Sequence, residues 1–165
     1  DLNRQWLPDL VILVADYAVS PGRAVAWLRR EIPHLAVTVG DRSVRVSNVV
    51  RVGDSPCLVC ALLNATDADP CQTAMLAQLA GRPAGALDRR TGFEVAVRVS
   101  RLIDGDEETH EQVLDVSTGA WTLAQPRHSQ RCSCRALQET GTVAALARAS
   151  LPVLPTKVPT SIPHA

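Results

Sequence analysis

Residues 9–15 read DLVILVA, a continuous apolar run that indicates the fold class. The run is rich in β-branched residues, which is typical of a strand buried on both faces of a parallel sheet. It ends at Asp16. In open α/β sheets, ligands bind beyond the carboxyl ends of the strands, so the position of Asp16 makes it a candidate site residue. The alternative is that Asp16 is a turn residue or cap ahead of the next helix.

The residues that follow this run predict a helix and then a hairpin. Ser20-Pro21 has the composition of a helix start, with Ser as the N-cap and Pro in the first turn, and Pro33 ends the helix. Residues 34–39 (HLAVTV) and 43–50 (SVRVSNVV) flank Gly40-Asp41. This pattern predicts two antiparallel strands with one solvated face. The strands and the helix together predict an α/β class.

The rest of the sequence predicts further helices, a second hairpin and a tail. Residues 111–116 and 119–125 flank a Ser-Thr-Gly turn and predict the second hairpin. Asn64–Pro70 is predicted as a loop, and Met75, Leu76 and Leu79 as the buried face of a helix. Helices are predicted at 59–65, 72–80, 91–103 and 136–149. Residues 1–150 are expected to form one domain portion, followed by an extended or disordered tail at 151–165, which contains four prolines.

Composition narrows the classes of function. The chain has 165 residues, 46% of them apolar, and a formal net charge of zero, which predicts one globular domain and no nucleic-acid partner. Its longest apolar run, Leu10–Ala15, is too short to span a bilayer, so no membrane partner is expected. The first residues lack the order of a secretion signal, and there is no starting Met. We therefore expect a cytoplasmic protein and a fragment or processed piece.

Four of the five cysteines occur as two close pairs. Residues 55–60 read SPCLVC, which places Cys57 and Cys60 three positions apart, and residues 128–134 read HSQRCSC, which contains Cys132 and Cys134. Two such turns can supply the four thiolates of a tetrahedral structural zinc site. This zinc would clip the loop after the first hairpin to the end of the second hairpin.

Other interpretations of these residues stay open. The pairs could be free thiols with accidental spacing, and His128 could replace one cysteine as a ligand. Arg131 and Arg135 flank the second pair, where they could offset the excess negative charge of a four-thiolate site. Cys71 has no partner in the pattern and is predicted to be an ordinary buried thiol.

Several pieces in this order resemble a known family. They are PDLVILVADYAV, IPHLAVTVG, SPCLVCALLNATDADP followed by LAQLA, and RHSQRCSC, which together span roughly residues 8–134. They resemble the carboxyl-terminal half of adenylyltransferases of the ThiF, MoeB and HesA type, relatives of the ubiquitin-activating enzymes. The closest likeness is to bacterial ThiF-like proteins of azole-forming peptide-modification systems.

The resemblance implies a partial Rossmann-like mixed sheet with a four-cysteine zinc clip. It implies that Asp16 helps to hold Mg-ATP, and that Cys57, Cys60, Cys132 and Cys134 bind structural zinc. Members of the family adenylate the carboxyl terminus of a small protein or peptide, so a peptide or carrier-protein substrate is expected. The family also implies a homodimer, or burial against a preceding half of the domain.

The nucleotide machinery of this family lies mostly ahead of the matching segment. The sequence contains no G-x-G-x-x-G phosphate turn, so this chain alone is expected to be inactive, with Mg-ATP bound only in a full-length context. The alternative function is a non-catalytic, zinc-stabilised binding or dimerisation module that presents a peptide substrate to a partner enzyme.

Overall fold

A computed structural model describes residues 7–105 and 110–138 of the chain. Its strands are β1 (Val11–Asp16), β2 (His34–Val39), β3 (Ser43–Val46), β4 (Glu111–Asp115) and β5 (Trp121–Ala124). Its α-helices are α1 (Pro21–Leu28), α2 (Leu58–Ala68), α3 (Cys71–Leu79) and α4 (Arg89–Ile103). A short 3-10 helix, Ser133–Gln138, ends the described part.

The strands form one five-stranded mixed sheet in the order β1-β2-β3-β4-β5. β1 and β2 are parallel and joined by α1, and every later pair is antiparallel. The mixed α/β class and both hairpins predicted from the sequence are confirmed. Because β3 pairs with β4, the two hairpins lie side by side. The ends of the two hairpins are therefore brought to one region of the molecule.

The prediction that β1 is buried on both faces is wrong within the described residues. Leu13 is buried, but Ile12 and Val14, which point to the other face, are 42% and 59% exposed. They pair in register with Leu35 and Val37 of β2, which are buried. β1 is an edge strand here, so this face of the sheet stays open at β1.

Helix α4 covers the centre of that same face and forms the larger hydrophobic core. Its inward residues Val95, Val99 and Leu102 recur at helical spacing and are buried. We call this set the α4 core, and it consists of Leu35, Val37, Val44, Val46, Val49, Val95, Val99, Leu102 and Leu114. Sequence placed a helix at 91–103, and the structure starts it at Arg89 because the Asp88 side chain caps it, accepting from Thr91 N at 3.0 Å.

Helices α2 and α3 differ most from their predictions. α2 runs on to Ala68, through residues predicted as a loop, and the Thr66 hydroxyl donates to the Leu62 carbonyl within it. α3 buries no residue, and Met75, predicted to face inward, is 51% exposed. The apolar residues of α3 lie on several sides of the helix, so α3 has no single apolar face to bury.

Two further predictions fall partly or wholly outside the described residues. The helix predicted at 136–149 has its first three residues in the 3-10 helix, and the remainder lies outside the described ranges. The tail at 151–165 also lies outside them. In the described part of the chain, no helix combines the length and the apolar composition that crossing a bilayer requires.

Candidate metal centre

The first cysteine pair is held by a hydrogen-bonded loop that leads into α2. Cys57 is the N-cap residue of α2, and Cys60 lies in its first turn. The Ser55 hydroxyl accepts a hydrogen bond from Arg51 N at 2.8 Å, and the buried Asn48 amide donates to the Pro56 carbonyl at 3.3 Å. The loop is therefore fixed by its own polar side chains.

The second pair follows β5 and is held by a turn at Ser129. Cys132 N donates to the Ser129 carbonyl at 3.1 Å, and Arg131 N donates to the Ser129 hydroxyl at 3.3 Å. The Asn64 amide of α2 donates to the Arg127 carbonyl at 2.8 Å. This bond links α2 to the segment ahead of the turn, so the two cysteine-bearing segments are joined by hydrogen bonds as well as by sulfur contacts.

The four sulfurs lie within 4.8 Å of one another. The Cys57 Sγ atom is 3.8 Å from Cys60 Sγ and 3.6 Å from Cys132 Sγ, and Cys60 Sγ is 3.4 Å from Cys134 Sγ. Four sulfurs at roughly 2.3 Å from a tetrahedral zinc ion stand roughly 3.8 Å apart. A disulfide needs about 2.05 Å, so these are free thiols. The cluster could hold a metal ion of zinc's size and ligand preference.

Burial disfavours the charged thiolate form of these cysteines, and a bound cation would offset that effect. Cys57, Cys60 and Cys134 are buried, and burial raises the pKa of Cys57 to about 11 and also raises the pKa of Cys134. Burial also acts to raise the pKa of Cys60, but the Ser129 backbone and neighbouring thiols outweigh it and lower that pKa. The amino end of α2 further favours negative charge at its first turn. A bound cation would favour the ionised form of Cys57 and Cys134, whose pKa values burial raises.

The cysteine cluster has an apolar surrounding of its own. Leu28 of α1 and Val50, which follows β3, pack against the buried cysteines. We call this set the cysteine core, and it consists of Leu28, Val50, Cys57, Cys60 and Cys134. A metal bound in it would be closed off by protein, which is typical of structural rather than catalytic zinc.

The remaining candidates lie beside the cluster or away from it. His128 Nδ1 is 3.8 Å from Cys134 Sγ, so the imidazole neighbours a ligand position that four thiols already fill. The guanidinium of Arg131 pairs with Asp67 of α2. Cys71 is exposed at the start of α3, so the prediction that it is a buried thiol is wrong.

Asp16 lies at the carboxyl end of β1, exposed and away from the cysteines. Tyr17 follows it with a φ of 58°, a region that residues other than glycine rarely occupy. The Tyr17 hydroxyl donates to Asp41 Oδ1 at 2.8 Å, and this bond raises the pKa of Tyr17. Gly85 N also donates to Asp41 Oδ1, at 3.2 Å. The end of β1 is thus tied to two loops.

An open cleft of about 730 Å³ connects these two regions. It lies between the sheet face that α4 does not cover and the helices α2 and α3. Small side chains line part of the floor and of the α2 wall, namely Ala36, Thr38, Ser47, Ala61, Ala65 and Ala68, and larger apolar ones, Leu58, Leu62 and Leu76, complete the helical wall. Tyr17 lines one part, and Cys57, Arg127 and His128 line another. Arg45 and Glu111, which also line it, form an ion pair at 3.1 Å.

Comparison with solved structures supports the fold. A chain of the E. coli microcin synthetase McbBCD complex matches with a TM-score of 0.60 and 20% identity, covering 76% of this chain and 52% of that one. A heterocyclase in complex with substrate and cofactor matches with a TM-score of 0.56 and 13% identity, over 76% of this chain and 20% of that one. The McbBCD complex with pro-MccB17 bound matches with a TM-score of 0.56 and 20% identity, over 81% and 58%.

The TM-scores show a shared fold and, at these identities, nothing beyond the fold; the chain spans less than two thirds of each matched chain. No protein-family model matches the sequence, and no curated protein does so either.

Sequence reasoning identified the cysteines but not the cleft or the bonds of Asp41. The cleft is built from β2, β3, α2 and the segment after β5, which are far apart in sequence. Asn64 falls in the stretch predicted as a loop, whereas its amide lies on α2 and bonds a second segment at the Arg127 carbonyl. Asp41 was treated only as a turn residue, although its carboxylate accepts bonds from Tyr17 and Gly85.

Proposed function

We propose that this chain is the metal-stabilised part of a ThiF-like protein and that its cleft binds a peptide segment of a substrate or carrier protein. The observation that carries the proposal is the open cleft of about 730 Å³, with a floor of small side chains and charged groups along its walls. Clefts of several hundred cubic ångströms are suited to ligands of a few residues. The matched McbBCD complex contains bound pro-MccB17, which supports a peptide as the ligand class.

Arg127 is the group that we assign to the carboxyl terminus of such a peptide. Its backbone carbonyl is fixed by Asn64, while its guanidinium forms no ion pair in the described ranges of the chain. Arg45, the other arginine of the cleft, already pairs with Glu111. A guanidinium binds a carboxylate through two parallel hydrogen bonds, which gives orientation as well as affinity.

Blocking the cleft tests this proposal. Ala65→Trp adds an indole to the α2 wall of the cleft, and Ala77→Trp adds one to the exposed side of α3 as the matched control. Each protein is immobilised and exposed to a random octapeptide mixture, with either free or amidated carboxyl ends, and retained peptides are counted by mass spectrometry. We expect Ala65→Trp to retain at most a tenth of the peptides held by Ala77→Trp. Equal retention would contradict peptide binding in the cleft.

The carboxylate role of Arg127 has a separate outcome. We expect free-acid peptides to be retained several-fold more than amidated ones, and Arg127→Gln to remove that preference. If the preference persists in Arg127→Gln, another group recognises the carboxylate.

The metal in the cysteine core is proposed to be zinc. Four thiol donors at the observed spacing fit zinc's tetrahedral preference, and the apolar surrounding fits a structural ion. The ion would fix the amino end of α2, which forms one wall of the cleft, against the segment that carries Arg127.

Adenylation of the bound peptide is the second candidate function. It is favoured by Asp16, whose carboxylate is exposed at the end of β1 while the next residue, Tyr17, lines the cleft. A Mg-ATP complex held at Asp16 would therefore lie beside a bound peptide. In the full-length context in which Mg-ATP is expected to bind, Asp16→Asn should weaken Mg-ATP binding at least tenfold in calorimetric titration, and the exposed control Asp9→Asn should leave it unchanged. Equal binding by both variants would exclude this role.

Self-association and a cytoplasmic location remain part of the proposal. The exposed apolar residues of β1 support an expected homodimer, or cover by another part of a longer polypeptide.

A further inference from the structure

A row of exposed residues runs along the outward side of α4 and does not pack against the described part of the chain. Residues four apart on a helix lie one above the other. Arg89, Phe93, Val97 and Arg101 have this spacing and are all exposed, on the side away from the buried Val95. We call these four residues the outer ridge. At a rise of 1.5 Å per residue, the ridge is roughly 18 Å long.

The centre of the outer ridge is apolar. Phe93, the only phenylalanine of the chain, is 72% exposed, and Val97 is 53% exposed. The α4 core is already filled from the opposite side of the helix, by Val95, Val99 and Leu102. Two large apolar side chains, adjacent and exposed on a regular helix, have the spacing of the anchors by which one helix packs on another.

The ends of the outer ridge are positive. Arg90 and Arg98 are already engaged, Arg90 with Glu94 at 3.2 Å and Arg98 over the Trp121 ring at 5.0 Å. Arg89 and Arg101 form no ion pair in the described part of the chain. Arg101 suits the carboxyl end of a helix, but a cation at the first residue of α4 opposes the helix dipole. Arg89 therefore slightly destabilises α4, and helix stability does not explain an arginine at this position.

The charge pattern decides between possible occupants. If two copies paired through this ridge, an antiparallel crossing would bring Arg89 to Arg101, and a parallel one would bring each arginine to itself. Like charges would meet in both cases, so a second copy is disfavoured. An anionic membrane would attract the arginines, but two apolar side chains on a helix whose other side packs on a sheet offer little area to insert. A helix with an apolar centre and acidic ends meets both features.

We propose that the outer ridge of α4 is a docking surface for an amphipathic helix of a partner protein, one that carries two apolar residues four apart, bracketed by carboxylates. Phe93 and Val97 pack between the apolar residues of that helix, and Arg89 and Arg101 pair with its carboxylates. This surface is on the face of the sheet opposite the cleft, so it is independent of the proposed peptide site.

A designed peptide tests the charge pattern directly. The probe is a fluorescein-labelled, end-capped, alanine-based helical peptide in which Glu, Leu, Leu and Glu follow one another at intervals of four residues. The control peptide has Lys in place of both Glu residues. Binding to the whole chain is followed by fluorescence anisotropy. We expect the Glu peptide to bind at least tenfold more tightly than the Lys peptide, with the difference shrinking as salt rises from 50 to 500 mM.

Variants of exposed residues assign that binding to the outer ridge. Phe93→Asp should weaken binding of the Glu peptide at least tenfold. The double variant Arg89→Glu, Arg101→Glu should bind the Lys peptide more tightly than the Glu peptide. The control Arg82→Glu, an exposed arginine outside α4, should change neither. Circular dichroism checks that each variant keeps its helices.

Three outcomes would overturn the proposal. The first is equal affinity for the two peptides or no binding of either. The second is a concentration-dependent dimer in sedimentation that Phe93→Asp abolishes, which would make the ridge a contact between copies. The third is binding to phosphatidylglycerol vesicles that the double arginine variant abolishes, which would make it a membrane contact.

Discussion

The α4 core and the cysteine core differ in what holds them together. The α4 core contains nine buried residues, all of them leucine or valine, drawn from three strands, α4 and Val49. The cysteine core contains five, of which three are cysteines. Apolar burial alone stabilises the first, at roughly 25 cal/mol per Å² removed from water. The second buries little carbon, and a cation bound between its thiols would stabilise it.

The two cores also join different parts of the sequence. The α4 core fixes a helix on a sheet and needs only the alternation of strands and the period of a helix. The cysteine core joins two segments whose contact no local pattern specifies, the start of α2 and the turn after β5. We therefore expect the two cores to respond differently to metal, to truncation of side chains and to pH.

Removal of a metal ligand should have the largest effect. Cys60→Ser removes a sulfur that is fully buried and lies 3.4 Å from Cys134 Sγ. Because metal binding contributes directly to folding, we expect the metal to be lost and the free energy of unfolding to fall by on the order of 5 kcal/mol. Urea unfolding and elemental analysis measure the two quantities.

The exposed Cys71→Ser is the matched control and should change neither quantity. We expect about one zinc per chain in the unaltered protein, as follows from a single four-thiol site. A purified chain that is folded without metal, or that holds a Cys57–Cys60 disulfide, would contradict a metal-dependent cysteine core.

A cavity in the α4 core should have the next largest effect and leave the metal in place. Leu102 is fully buried, so Leu102→Ala should lower the free energy of unfolding by about 2–5 kcal/mol. Its neighbour Ile103 is 46% exposed, so Ile103→Ala should lower the free energy of unfolding much less. Zinc content is measured in both variants. If Leu102→Ala also released the metal, the two cores would be one cooperative unit rather than two.

Self-association should depend on the open edge of the α4 core. Ile12 and Val14 extend that face at β1 and are exposed, which favours contact with another surface. We expect the chain to self-associate at low micromolar concentration in sedimentation and Val14→Lys to make it monomeric. Leu123→Lys places the same change on the other edge strand and should leave the association intact. A compact monomer before any substitution would contradict this expectation.

The sequence predicted the parts of each core that depend on local pattern. The apolar residues of 91–103 fit both helix and strand periods, and the length of the segment together with the Asp104-Gly105 stop favours a helix. Asp88, which caps the start of this helix, lies outside that apolar pattern. The cysteine spacing predicted that the four thiols meet, and their sulfurs lie together. That prediction succeeded because two thiols on one tight turn converge on one point, and a tetrahedral zinc site needs two such turns, which links the segments without any local pattern between them.

Predictions that needed tertiary context were less successful. β1 was expected to be buried on both faces, but its apolar run cannot show whether an element covers the second face. Met75 and Cys71 were expected to be buried because they are apolar, yet α3 has no partner on their side among the described residues. The extent of α2 was missed because Asn64 and Thr66 disfavour helices locally, whereas their side chains bond outside and within the helix here.

The smallest expected effect concerns the cap of α4. Asp88 accepts hydrogen bonds from Thr91 N at 3.0 Å and from the Thr91 hydroxyl at 2.8 Å. The bond from the Thr91 backbone, with that from its hydroxyl, lowers the pKa of Asp88 below its usual 3.8. The ionised carboxylate therefore stabilises the folded chain above about pH 4, and this contribution is lost as the pH falls through the lowered pKa.

A variant with an uncharged cap separates the pH dependence that Asp88 contributes to stability from the pH dependence of metal binding in the cysteine core. Acid also protonates thiolates and releases metal, so the melting temperature of the unaltered protein alone cannot report on Asp88. Asp88→Asn keeps a good cap without a titrating charge, and the loss of metal is common to both proteins. We expect the unaltered protein to melt higher by about 2 °C at pH 6 and the difference to shrink toward zero by pH 3. A difference that stays constant with pH would show that the charge of Asp88 does not stabilise α4.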